Sequence, residues 1–114
     1  MANSDNKTPS SVHDLRSALE LLKTLPGEYV ETDTEVDPHA ELSGVYRYVG
    51  AGGTCQRPTR KNGPVMVFNK IKGFENISVA IGLNGSRQRV SHFLQCEPAK
   101  LGHLLKDSVE NAIA

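Results

Sequence analysis

The run Val65-Met66-Val67-Phe68 is apolar at every position and follows a break at Gly63-Pro64. A half-exposed strand alternates apolar with polar side chains, whereas this run has no side to give to water. It therefore predicts a short strand covered on both faces, around which the other elements must pack. A reversal at Asn69-Lys70-Ile71-Lys72-Gly73-Phe74 leads to a second strand pattern, Ile77 to Leu83. There Ile77, Val79, Ile81 and Leu83 share one face, while Ser78, Ala80, Gly82 and Asn84 share the other. Small residues on that second face let another part of the chain come close.

The polar segment Met1 to Ser10 has nothing to bury and is expected to be a disordered lead-in. Ser11 is expected to cap a first helix, with Asp14 reaching back and Val12, Leu15, Leu19 and Leu22 on one stripe; Pro26-Gly27 stops it. From Glu28 the period changes to two: Val30, Thr32, Thr34 and Val36 face one way, Tyr29, Glu31, Asp33 and Glu35 the other. Carboxylates two apart suit either acid/base work or a solvated edge that discourages strand addition, and an open face favours the edge. Asp37-Pro38 reads as N-cap and first helical residue of a second helix burying Leu42, Val45, Tyr46 and Val49.

Gly50 to Gly63 lacks periodicity. Its glycines, with Arg57, Arg60 and Lys61, would suit a phosphate, but neither GxGxxG nor GxxxxGK[ST] is present, so a flexible loop is the simpler reading. Gly85-Ser86 caps a third helix that turns Val90, Phe93 and Leu94 inward and breaks at Glu97-Pro98. A fourth, from about Pro98, buries Leu101, Leu104, Leu105 and Val109.

With 114 residues the chain is one domain, large enough to remove roughly two thirds of its extended surface from water. Lys+Arg and Asp+Glu both number 13, which leaves no long-range field for nucleic acid or an anionic membrane. No apolar run approaches the about 20 residues of a membrane span, and the N-terminus is no secretory signal, so a cytoplasmic location is expected. Cys55 and Cys96 are expected to be free thiols in a reduced compartment. His13, His39, His92 and His103 lack metal-ligand spacing; the first two are placed in first helical turns, facing solvent. No serine or cysteine has an evident base partner. The best candidate site is Gly85-Ser86-Arg87 with Arg89, where a strand runs into a helix N-terminus. Free backbone N–H groups, a hydroxyl and guanidinium groups can converge there on a carboxylate or phosphate. The alternative is that Ser86 only caps the helix and both arginines are solvated.

Four segments resemble, in order and spacing, the N-terminal domain of the UbiD family: Asp14-Leu15-Arg16, Val36-Asp37-Pro38, Phe68 to Phe74, and Gly85-Ser86-Arg87-Gln88-Arg89-Val90. The stretch from Ala40 to Thr54 is similar to the branch that decarboxylates hydroxybenzoic acids such as gallate, protocatechuate or vanillate. The resemblance implies reversible, non-oxidative decarboxylation by prenylated flavin mononucleotide with a divalent metal and a monovalent cation. It places the residues holding those groups, and the proton-handling carboxylates, in a later domain with no counterpart in this sequence. No catalytic, cofactor or metal residue is therefore assigned here.

The expectation is an α/β domain over residues 11–114, with a mixed three-stranded sheet and about four helices in the order α-β-α-β-β-α-α. It would be an inactive N-terminal piece of such a decarboxylase, docked on the catalytic domain or self-associating, with Gly85, Ser86, Arg87 and Arg89 as an anion or interdomain contact. The alternative is a freestanding anion-binding or interaction module.

Overall fold

The computed structural model of the chain describes residues 12–54 and 62–113. The expected N-terminal tail, Ser11, Cys55, Arg57, Arg60 and Lys61 lie outside them. The described elements are α1 (Leu15–Lys23), β1 (Tyr29–Thr32), α2 (Glu41–Gly50), β2 (Val65–Phe68), β3 (Val79–Ile81), α3 (Arg87–Leu94) and α4 (Leu101–Glu110), with a 3-10 turn at Pro98–Lys100. This is the expected α/β order. The sheet runs β1-β2-β3, parallel between β1 and β2 and antiparallel between β2 and β3.

All four residues of β2 are buried, as an unbroken apolar run requires. Their alternation divides the core in two. Met66 and Phe68 join Val36, Leu42 and Ile71, with Val45, Tyr46 and Val49 of α2 packed against them. Val65 and Val67 face Leu22 on the other side, covered by Leu19 of α1, Phe93 of α3 and Leu83. Burying a side chain such as Phe68 contributes about 1.5–3 kcal/mol, so this strand is the main source of cohesion for both layers.

Several boundaries differ from the sequence reading, each for a local reason. The cap of α1 is Asp14 rather than Ser11. Its carboxylate accepts from the Ser17 N–H at 2.8 Å while the Ser17 hydroxyl accepts from the Asp14 N–H at 3.1 Å, a capping box one turn later than expected. Strand β1 ends at Thr32, whose hydroxyl accepts from the Thr34 N–H at 3.1 Å and turns the chain away from the ladder. Val36 is buried through an isolated parallel bridge to Ile71 rather than as a continuation of that strand, and Val30 is exposed.

Asp37 does not cap α2 directly. Its carboxylate accepts from the His39 N–H at 2.8 Å, and Ala40, at φ 73, interrupts the helical run so that α2 begins at Glu41. His13 and His39 are exposed but precede their helices. β3 stops at Ile81 because Gly82 takes φ 93, which turns Leu83 into the layer opposite Ile81. That glycine has a second reason to lack a side chain: a Cβ there would lie 2.5 Å from the Tyr46 hydroxyl oxygen.

Candidate functional site

Ser86 caps α3, its hydroxyl accepting from the Arg89 N–H at 3.2 Å. Gly85 and Arg87 are exposed beside it. Arg89 is different: its side chain is 1% exposed, so it is neither solvated nor free to meet a ligand. Its Nε donates to Glu28 Oε1 at 2.9 Å, its Nη1 to the Gly82 carbonyl at 2.5 Å and its Nη2 to the Gly63 carbonyl. The guanidinium thus ties together the turn before β1, the entry to β2 and the exit of β3. A planar fork with five donors suits this task, and a lysine does not. The anion site drawn from the sequence is therefore divided, with Arg87 on the surface and Arg89 inside.

A sequence signal for the buried arginine exists. Position 89 lies one helical turn before Phe93 and so falls on the inward stripe of α3, while Glu28 is the acid just before β1. On the same helix Leu94 is exposed rather than buried.

The acidic edge of β1 carries a second network. Tyr29 donates to Glu31 at 2.6 Å, and Asn69 Nδ2 donates to Glu31 at 2.6 Å and to Asp33 at 2.9 Å. Ser78 then donates to Asn69 Oδ1 at 2.8 Å, joining β1, β2 and β3 across one face. The Tyr29 hydroxyl and the Asn69 amide hold the Glu31 carboxyl below its usual range. Burial, followed by the bond to the Glu31 carboxylate, pushes Tyr29 up to about 12. Near neutral pH Glu31 stays ionised and Tyr29 stays protonated, so neither is poised to exchange a proton. The carboxylates brace an edge.

Beside this network lies an open groove of about 510 Å³, floored by Leu19, Val67 and Ala80 and rimmed by Asp14, Arg16 and Ser78. It is where the small-residue face of β3 meets α1. Cys96 is a free, half-buried thiol in a shallow depression near the end of α3, beside His92 and Lys100. Among the described residues no three His, Cys, Asp or Glu side chains gather as metal donors, and the groove offers one carboxylate and one guanidinium on an open rim. These residues do not fit a flavin held together with two cations. No helix among the described residues is long and apolar enough to cross a membrane.

The fourth helix departs furthest from expectation. Leu101 is buried and Leu104 half-buried, but Leu105 is 50% and Val109 80% exposed. Among the described elements α4 makes its most extensive contact with the 3-10 turn that precedes it, while Leu105 and Val109 farther along the helix stay exposed.

Fold and surface together define a small α/β domain whose charged and polar side chains brace the chain and whose last helix presents apolar residues to solvent. It belongs to the UbiD N-terminal domain family: the family model described as the 3-octaprenyl-4-hydroxybenzoate carboxy-lyase N-terminal domain matches residues 19–108. The chain is 52% identical over 101 residues to gallate decarboxylase of Lactiplantibacillus plantarum, which covers 89% of this chain and 20% of that enzyme. A 3,4-dihydroxybenzoate decarboxylase sequence of Sedimentibacter hydroxybenzoicus is 59% identical over 27 residues, 24% of this chain. The crystal structure of apo 3,4-dihydroxybenzoic acid decarboxylase from Klebsiella pneumoniae superposes with a TM-score of 0.76 at 44% identity, covering 87% of this chain and 20% of that one. The apo enzyme from Enterobacter cloacae gives 0.77 at 50% identity, covering 89% of this chain and 20% of that one. The chain thus spans about a fifth of the length of the gallate decarboxylase and of both solved enzymes.

Proposed function

We propose that this chain serves as the N-terminal domain of a cytoplasmic UbiD-type carboxy-lyase acting on hydroxylated aromatic acids, and that it supports the catalytic portion without supplying reacting groups. The observation that carries this is the 52% identity to a gallate decarboxylase over a region that is only 20% of that enzyme. The local chemistry supports it. Arg89 is spent on Glu28 and on two backbone carbonyls, and Tyr29, Glu31 and Asn69 on a strand edge. Prenylated flavin mononucleotide and its cations are assigned to polypeptide outside these residues. The competing anion-module reading loses one of its two guanidinium groups to the core and retains only Arg87.

The test is replacement of the matching N-terminal region of the L. plantarum enzyme by this chain. The fusion is expected to decarboxylate gallate, and the same enzyme with the region deleted is expected to lose activity. Full activity in the deleted enzyme would remove any supporting role for the domain.

A further inference from the structure

Helix α4 has two unlike sides. Leu101, Leu105 and Val109 recur every four residues on one stripe, while Asp107 falls on the opposite side and the Lys106–Glu110 pair, at 2.8 Å, flanks the stripe. Only the first turn of the apolar stripe is covered: Leu101 is 8% exposed, against 50% for Leu105 and 80% for Val109. Leu105 and Val109 thus form an exposed apolar surface that a partner can cover.

Resting on the reading above, we propose that the Leu105–Val109 face is the docking surface for the catalytic portion of the carboxy-lyase. The family match runs to residue 108, inside α4, and the gallate decarboxylase and both solved enzymes carry about four fifths of their length outside the matched region. In those enzymes the polypeptide following the N-terminal domain therefore departs beside this stripe. A second copy of the chain fits the surface less well. Two or three apolar side chains on one helix fall far short of the roughly 1,200–2,000 Å² that a stable association between separate molecules buries. A covalently continuous partner needs much less, because tethering gives it a high effective concentration.

The test compares the 114-residue chain with the gallate decarboxylase fusion, each carrying Val109→Cys or, as a control on the opposite side of the helix, Asp107→Cys. Maleimide labelling is followed by peptide mass so that Cys55 and Cys96 are scored separately. Labelling at position 109 is expected to be at least about tenfold slower in the fusion than in the isolated chain, and labelling at position 107 alike in both. Equal rates at position 109 overturn the proposal. So does protection in the isolated chain that grows with its concentration, which would put a second copy on the face. Gallate turnover separates the two readings. An active fusion labelled freely at position 109 sinks the docking face alone, and an inactive fusion protected there sinks the carboxy-lyase assignment alone.

Discussion

Replacing Arg89 by methionine keeps most of the side-chain volume and removes the guanidinium. The loss leaves the Glu28 carboxylate, whose side chain is 16% exposed, without its counter-charge, takes the Arg89 donor from the Gly63 carbonyl, and leaves the Gly82 carbonyl with the Gly85 N–H at 3.1 Å. Breaking a buried ion pair from one side costs about 3–5 kcal/mol, chiefly because the remaining charge stays desolvated. Domains of this size are stable by about 5–15 kcal/mol, so roughly a fifth or more of the total is at stake. At about 4–8 °C per kcal/mol, the midpoint of thermal unfolding should fall by at least about 12 °C. Urea unfolding followed by far-UV circular dichroism gives the same quantity near room temperature. Arg89→Lys should recover only part of the loss, since an ammonium cannot span three acceptors in fork geometry. Pairing Arg89→Met with Glu28→Gln should be milder than Arg89→Met alone, because no uncompensated charge remains. If Arg89→Met unfolded within about 0.5 kcal/mol of the parent chain, the guanidinium could not be the tie described above, since that is the range of an ordinary surface substitution.

Asp14→Ala removes the carboxylate that caps α1 and should cost about 0.5–2 kcal/mol in urea unfolding. Gly82→Ala forces a side chain into φ 93 and against the Tyr46 ring, and should destabilise by at least about 1–3 kcal/mol; Tyr46→Phe should not rescue it, because the ring carbon Cε1 is also within 2.7 Å of the new Cβ. Glu31 has a folded pKa below its unfolded one, so its contribution is present above about pH 4.3 and is lost as pH falls through the folded value; Glu31→Gln should flatten stability against pH in that acid range. Tyr29 has the opposite sign, losing stability as pH rises from about 10 towards about 12, and the tyrosinate absorbance at pH 11 should be nearly the same in the folded parent and Tyr29→Phe.

How far each element was legible depended on whether its signal was local. Val65 to Phe68 announced a strand buried on both faces because no other placement keeps four consecutive apolar side chains from water. The Ser86 cap was legible for the same reason, with a hydroxyl three residues before the N–H it accepts from. The start of α1 was missed because Asp14 and Ser17 satisfy the capping box as well as the earlier serine does on paper. Arg89 looked like a surface charge because its partners, Glu28, Gly63 and Gly82, lie 61, 26 and 7 residues away, and only the fold brings them together. The stripe of α4 was read correctly as apolar and wrongly as covered, since periodicity reports which side chains avoid water but not where the covering surface resides.

The role proposed for this domain is to support a reaction whose reacting groups lie elsewhere. The most direct measurement incubates the pure 114-residue chain with prenylated flavin mononucleotide, a divalent metal, a potassium salt and gallate or protocatechuate, and follows carbon dioxide release alongside flavin absorbance of the protein after gel filtration. A purely supporting domain releases no carbon dioxide above the protein-free control and elutes as a colourless protein peak. Turnover by a protein peak that keeps its flavin would contradict that role.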